Sequence, residues 1–160
     1  MLTLYDYMDS GNGYKCRLVL AHLGIPFKLV LCDILKGETR TPEFLARNPN
    51  GRIPTLQIED DTFLAESGAI IWYLADGTPL APTDRKARAE TLQWMFFEQY
   101  SHEPNIAVAR FWKHYLPKLS ALQEMDLPNR MKNGYAALDV MEKHLARNAF
   151  FVGGSFGLAD

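Results

Sequence analysis

Cysteine is scarce, neither sign of charge is in excess, and no long apolar run occurs in the 160 residues. Each shortage removes a class of protein. The two cysteines, Cys16 and Cys32, are too few for a disulfide framework and form neither a C-x-x-C pair nor a metal-spaced cluster, so a reducing compartment is expected. With 17 Lys plus Arg against 19 Asp plus Glu the net charge is -2, and no basic run interleaves with aromatics, so a nucleic-acid partner is not expected. The densest apolar stretch, Ala69 to Ala75, falls far short of the ~18 to 20 residues of a membrane helix. Met1 to Asp6 lacks the basic segment and apolar core of a signal peptide. There is no internal repeat and no low-complexity segment. A soluble, cytoplasmic chain with no membrane partner is the expectation. The composition, 48% hydrophobic and 22% charged, is ordinary and suffices for one medium domain or two small ones.

Apolar periodicity divides the chain in two. Leu2 to Tyr5 reads as a strand, Asp9-Ser10-Gly11-Asn12-Gly13 as a turn, and Tyr14 to Leu23 as a helix stopped by Gly24 and Pro26. Phe27 to Cys32 reads as a second strand, parallel to the first if the crossover is right-handed. Thr41 is an expected N-cap with Pro42 at the first helical position. Thr55 to Ile58 and Thr62 to Leu64 flank Glu59-Asp60-Asp61 as a hairpin, and Glu66 to Leu74 carries helical spacing. The order is β-α-β-α-β-β-α, an α/β unit over residues 1–76. Residues 77–84, with two prolines and a glycine, read as a linker. Residues 85–160 read as all helix, with one long amphipathic pattern from Arg85 to about Trp112, bent or broken near Pro104, and another from Asn129 to Arg147.

Two motifs stand twelve residues apart, Arg52-Ile53-Pro54 and Glu66-Ser67. The first offers a free backbone edge to a peptide-like ligand, and the second opens a helix whose amino end can hold a carboxylate. A small, acidic, peptidic ligand fits both. Each motif also has a plainer role. About 5 to 6% of X-Pro bonds in folded proteins are cis, so Pro54 alone reads as a trans turn proline. Glu66 and Ser67 can simply start a helix, and Ser10 and Asn12 are common turn formers. Arg52 can be a solvated charge, and Cys16, among Leu18, Val19 and Leu20, a small core residue.

This combination of domain order, Ser10-Gly11-Asn12, Ile53-Pro54 and Glu66-Ser67 resembles the cytosolic glutathione S-transferase superfamily over the whole chain. It is most similar to the bacterial theta or nu kind with a Ser/Asn site. The resemblance implies a thioredoxin-like amino-terminal domain, an all-helical second domain, and glutathione as co-substrate with no metal. It further implies a cis bond at Pro54, with Ile53 facing the cysteinyl unit. Ser67 would hold the γ-glutamyl carboxylate and Glu66 would lie near the ammonium. Ser10 would be the thiol-activating hydroxyl and Asn12 a second donor. Arg52, with Lys36 and Arg40 as weaker candidates, would approach the glycyl carboxylate. Tyr5 and Tyr7, phenols used by other classes, rank below Ser10. His102 and Arg110, with Tyr100 or Phe111, are candidates for the electrophile pocket, though an ordinary aromatic core accounts for them equally.

The implied activity is transfer of the glutathione thiolate to a small electrophile, a detoxification chemistry, by a homodimer. A glutathione-dependent disulfide reductase and a non-enzymatic interaction protein of the same fold are the alternatives. Gly153 to Asp160 resembles the lead-in to the family's central helix, with Gly157 where a capping Ser or Thr usually stands. A chain incomplete in its helical half is therefore expected.

Overall fold

Strand β1 (Leu2–Asp6) sends alternate side chains to opposite faces of its sheet. Leu4 and Asp6, both fully buried, share one face, and Tyr5 takes the other. The computed structural model describes residues 1–160 as two units, Met1–Thr78 and Pro79–Asp160. In the first, β1 leads into helix α1 (Gly11–His22), where Ser10 is the N-cap and accepts the Gly13 N–H at 3.1 Å. The helix stops at Leu23, followed by Gly24 at φ 64°. Strand β2 (Phe27–Leu31) then pairs parallel with β1, as expected for two strands joined through a helix.

Two 3₁₀ turns, Ile34–Lys36 and Glu38–Arg40, lead to α2 (Pro42–Arg47). Thr41 caps this helix through the Phe44 N–H. Strands β3 (Thr55–Glu59) and β4 (Thr62–Ala65) form the expected hairpin, and α3 (Ser67–Ala75) follows. The sheet order is β2-β1-β3-β4, with β3 antiparallel to both its neighbours. This is the thioredoxin-like β-α-β-α-β-β-α arrangement. Tyr5 meets Phe44 edge-on at 6.2 Å between ring centroids and lies 6.4 Å from Phe63. With Cys32, Val30 and Ile53 they form the core on that face.

The register positions everything that follows. Tyr5 lies opposite Thr55, Thr55 opposite Ala65, and Asp6 beside Leu31. The carboxyl ends of β1, β2 and β4 therefore meet the amino end of β3 at one end of the sheet. The loops carrying Ser10, Lys36 and Arg40, Ile53-Pro54, and Glu66-Ser67 all emerge there.

The second unit is helical and departs from the periodicity reading at the start of its last helix. The pattern from Arg85 to Trp112 is two helices, α4 (Arg85–Phe97) and α5 (Glu103–Tyr115), joined by a π-helical turn, Glu98–His102. Pro104 has no N–H and its ring crowds the carbonyl four residues back, so the ladder shifts to the Glu103 N–H bonding Glu98 O. The third helix, α6 (Ala121–Leu145), begins well before Asn129. Ser120 and Gln123 form a complete capping box, and the helix runs on through Pro128.

Helices α5 and α6 approach closely at small residues. Ala109 and Ala137 are buried, and a Cβ on Gly134 would sit 3.0 Å from Ile106 Cγ1. Trp94 packs on His144 at 4.8 Å and on Phe151 at 4.6 Å. Within residues 77–84, Leu80 and Ala81 are buried and the Leu80 carbonyl accepts the Leu158 N–H at 3.1 Å. Asp160 accepts the Gly157 and Phe151 N–H groups, both at 2.9 Å, supplying the carboxylate half of a capping box. Gly134→Leu should overpack the α5–α6 contact and cost about 1–3 kcal/mol in urea unfolding; unchanged stability would show that the helices separate there freely.

Candidate functional site

The site begins with how Ser10 is held. As N-cap its oxygen accepts the Gly13 N–H, which leaves the hydroxyl proton for another acceptor. Two residues on, at the same helix end, the Asn12 carboxamide oxygen accepts the buried Ser67 hydroxyl at 3.3 Å. That bond spans 55 residues and joins the starts of α1 and α3.

Helix α3 has no side-chain cap. Its ladder begins with the Ile70 N–H on Glu66 O, so the N–H groups of Ser67, Gly68 and Ala69 lack an intrahelical partner and carry the positive end of the helix dipole. Glu66 stands at φ 67°, ψ 118°, a conformation that a side chain rarely adopts and that costs of order 1–3 kcal/mol. Its carboxylate is exposed and pairs with nothing in the chain.

The Ile53-Pro54 bond is cis, and Ile53 precedes Thr55, the first residue of β3 in the ladder. The loop is built by a residue that composition gave no reason to single out. Asn48 is buried; its Nδ2 donates to Arg52 O at 2.9 Å and Thr55 Oγ1 at 3.1 Å, and its Oδ1 accepts the Asn50 N–H at 3.1 Å. Thr55 Oγ1 also donates to Arg52 O. Arg40 Nη1 closes the loop from outside by donating to Asn50 O at 3.0 Å. Gly51, at φ 62°, fits only without a side chain, because a Cβ would lie 2.6 Å from Arg40 and 2.9 Å from Thr39 O.

The remaining candidates divide clearly. Arg52 is exposed and its side chain is unpaired. Lys36 is exposed and pairs with Asp33 at 3.1 Å; this hydrogen bond lowers the Asp33 carboxyl and raises the Lys36 ammonium. Tyr5 is removed from the site by strand alternation, its hydroxyl bonding Gln57 at 3.3 Å beneath α2. His102 and Arg110 belong to the helical unit, where Arg110 donates to the Tyr115 hydroxyl at 2.7 Å. Cys16 is fully buried, and burial, followed by the nearby Asp6 charge, pushes its thiol up to about 12. Burial also raises Cys32. Both are core residues.

Beneath Ser10 lie three further residues that strand and helix patterning did not mark. Asp6 is fully buried and pairs through Oδ2 with Arg17. A Cβ on Gly13 would lie 1.7 Å from Asp6 Oδ1, so the glycine makes room for the carboxylate. Burial raises the Asp6 carboxyl, while the Tyr7 amide and Arg17 pull it down. A separate cleft of ≈ 370 Å³ lined by Tyr5, Glu43, Arg47 and Phe63 shares no residue with the site. Its Arg47 is already shared between Glu43 and the Tyr5 ring.

Residues 1–76 match the family described as Glutathione S-transferase, N-terminal domain. Glutathione S-transferase 3 of Zea mays is 35% identical over 165 residues, covering 99% of this chain and 73% of that protein. Protein URE2 of Eremothecium gossypii is 38% identical over 122 residues, covering 71% of this chain and 34% of that protein. This chain thus spans about a third of the URE2 relative and about three quarters of the maize one. A glutathione S-transferase structure from Pseudomonas fluorescens superimposes with a TM-score of 0.95 at 48% identity, covering 99% of this chain and 79% of that one. The glutathione transferase URE2P6 from Phanerochaete chrysosporium, in complex with oxidized glutathione, gives 0.85 at 31% identity, with coverages of 99% and 74%.

Asn48→Ala removes the acceptor of the Asn50 amide and one of the two bonds made by the Arg52 carbonyl and by the Thr55 hydroxyl, which keep each other as partners, and should cost about 1–3 kcal/mol in total, measured by denaturant unfolding. A loss no larger than that of an exposed substitution would mean that water replaces the carboxamide. Because the folded Cys16 thiol ionises only near 12, well above its ordinary value, its contribution is complete below the ordinary thiol range and is lost as pH rises from there toward 12. The melting temperature should therefore fall over that alkaline window, and less steeply in Cys16→Ala.

Proposed function

This chain belongs to the glutathione S-transferase superfamily, and on that premise we propose that it binds glutathione at the gathered sheet end and delivers the thiolate to an electrophile. The observation that carries the reading is the Ser67–Asn12 hydrogen bond. It brings the expected carboxylate-binding helix end to the residues expected at the sulfur, within the reach of one tripeptide.

The γ-glutamyl carboxylate takes the uncapped N–H groups of α3, where backbone donors and the helix dipole favour an anion, and the Ser67 hydroxyl, whose single proton turns from Asn12 to the ligand on binding. The unpaired Glu66 carboxylate faces the ammonium. Ile53, just outside the ladder, pairs its backbone with the cysteinyl unit as an added strand. Arg52 takes the glycyl carboxylate, with Lys36 and Arg40 in support, although Asp33 and Asn50 already engage those two.

These contacts fix the sulfur above Ser10, whose free hydroxyl proton donates to it, with Asn12 as second donor. Donation beside a helix amino end favours the thiolate over the thiol, so more nucleophile is present near neutral pH. The thiol proton passes to solvent, a sulfur lone pair forms the new carbon–sulfur bond, and the leaving group departs with the electrons of the bond it breaks. We place this chemistry in the cytosol, where glutathione is kept reduced, and in a homodimer. No helix is long and apolar enough to cross a membrane.

Disulfide reduction by the same thiolate is a second reading. It is supported by the likeness to the Phanerochaete chrysosporium transferase in complex with oxidized glutathione. Parallel assays with an aromatic halide and a small disulfide separate the two.

Ser10→Ala should lower kcat about 10- to 100-fold, the worth of one hydrogen bond to a charged group. Its capping loss of about 1 kcal/mol is monitored separately by thermal melting. Isothermal titration calorimetry of Ser67→Ala should show glutathione binding weakened several-fold or more. Native calorimetry without any heat of glutathione binding would sink the reading. Glu66→Gly relieves the positive φ and should raise the melting temperature while weakening glutathione binding; a lower melting temperature would show that no strain is stored there.

A further inference from the structure

Arg17 makes two contacts that no ligand needs, and together they fix the loop that carries Ser10. Its Nη1 pairs with Oδ2 of Asp6, the buried last residue of β1, while its Nη2 donates to Met8 O at 2.9 Å. Met8 lies in the loop that the Ser10 N–H closes on Tyr7 O at 2.9 Å. One planar guanidinium on α1 thus ties the strand end to the loop, and its position is set further by the Tyr14 ring 5.9 Å away. Asp6 Oδ1 is buried without a partner, and Gly13 leaves the space it occupies. Nothing in the packing of a strand on a helix requires a buried charge, and hydrophobic replacements of buried pairs are commonly neutral or stabilising.

We infer that Arg17 and Asp6 are a positioning pair for the thiol: Arg17 holds the Met8–Ser10 loop in place and cancels the buried Asp6 charge beneath the sulfur. The inference rests on the glutathione reading above. An unpaired anion at Asp6 would oppose a nearby thiolate, as the Asp6 charge already does for Cys16. The charged and titratable groups around Asp6 are Arg17 and Cys16 on α1, with Lys15 acting on Cys16, and Cys32 after β2, whose N–H donates to Asp6 O at 2.8 Å. Glu38 and Arg47 act on Cys32 in turn.

The test uses the full chain with three variants, Arg17→Gln, Arg17→Lys and the double substitution Asp6→Asn with Arg17→Gln. The measurements are kcat and KM with an aromatic halide, the pH profile of kcat, and the ultraviolet absorbance of bound thiolate. Arg17→Gln should lower kcat about tenfold, leave the KM for glutathione within about twofold, and move the acid limb upward by about one pH unit, equivalent to that tenfold change. Arg17→Lys should restore the limb but not kcat, because a point charge cannot hold Asp6 and Met8 together. The double variant should also bring the limb back.

Native kcat and limb in both single variants would overturn the inference, as would a loss of melting temperature with the profile unmoved. If Arg17→Gln does not fold, Arg17→Lys decides: reduced kcat at native KM supports the pair, and native kcat overturns it. An unsubstituted chain that neither binds glutathione nor shows thiolate absorbance removes the transferase reading and this inference with it. Native turnover with unaltered variants removes only the inference.

Discussion

The pairing of β1 with β3 is the constraint on which the site depends. Tyr5 sits opposite Thr55, and Thr55 opposite Ala65, so strands that run in different directions deliver four separate loops to one end of the sheet. A slip of one residue would turn every side chain to the other face. Tyr5 would then leave its contacts with Phe44 and Phe63, and Asp6 would leave Arg17. The apolar core on one face and the buried ion pair on the other therefore enforce the same register.

Loops gathered by a sheet still need fixed conformations, and here polar side chains supply them. Asn48 satisfies three partners and holds the segment leading to the cis Pro54, while Arg40 braces the same segment from outside. Arg17 does the equivalent for the loop before Ser10. Glu66 is a different case, a residue in an unfavourable backbone conformation at the start of an uncapped helix. An uncapped amino end and a strained neighbour are tolerable where a ligand supplies the missing acceptor.

How much could be read in advance varied with the range of the interaction. The strands, α1, and the Thr41–Pro42 start of α2 follow from alternation, helical period and capping chemistry, all of which act within a few residues. In the helical unit the same rules misplaced boundaries. The last helix starts at Ala121, behind the Ser120–Gln123 box, and not at Asn129, and the bend or break expected near Pro104 takes the form of a shift of hydrogen-bond register between α4 and α5. Local propensity registers a proline; it does not register what the neighbouring turn does to accommodate one.

The element order of residues 1–76 and the motifs at Ser10, Asn12, Ile53-Pro54 and Glu66-Ser67 are legible in the chain itself, since short-range patterns carry them. Folding alone brings Ser67 to Asn12 across 55 residues, sets Asn48 under the Pro54 loop, and makes Gly13 the space for an Asp6 carboxylate held by Arg17. The physical reason is that these are contacts between residues far apart in the chain or facing across a turn. Their value comes from burial and exact donor–acceptor placement, neither of which exists until the register of β1 and β3 is set.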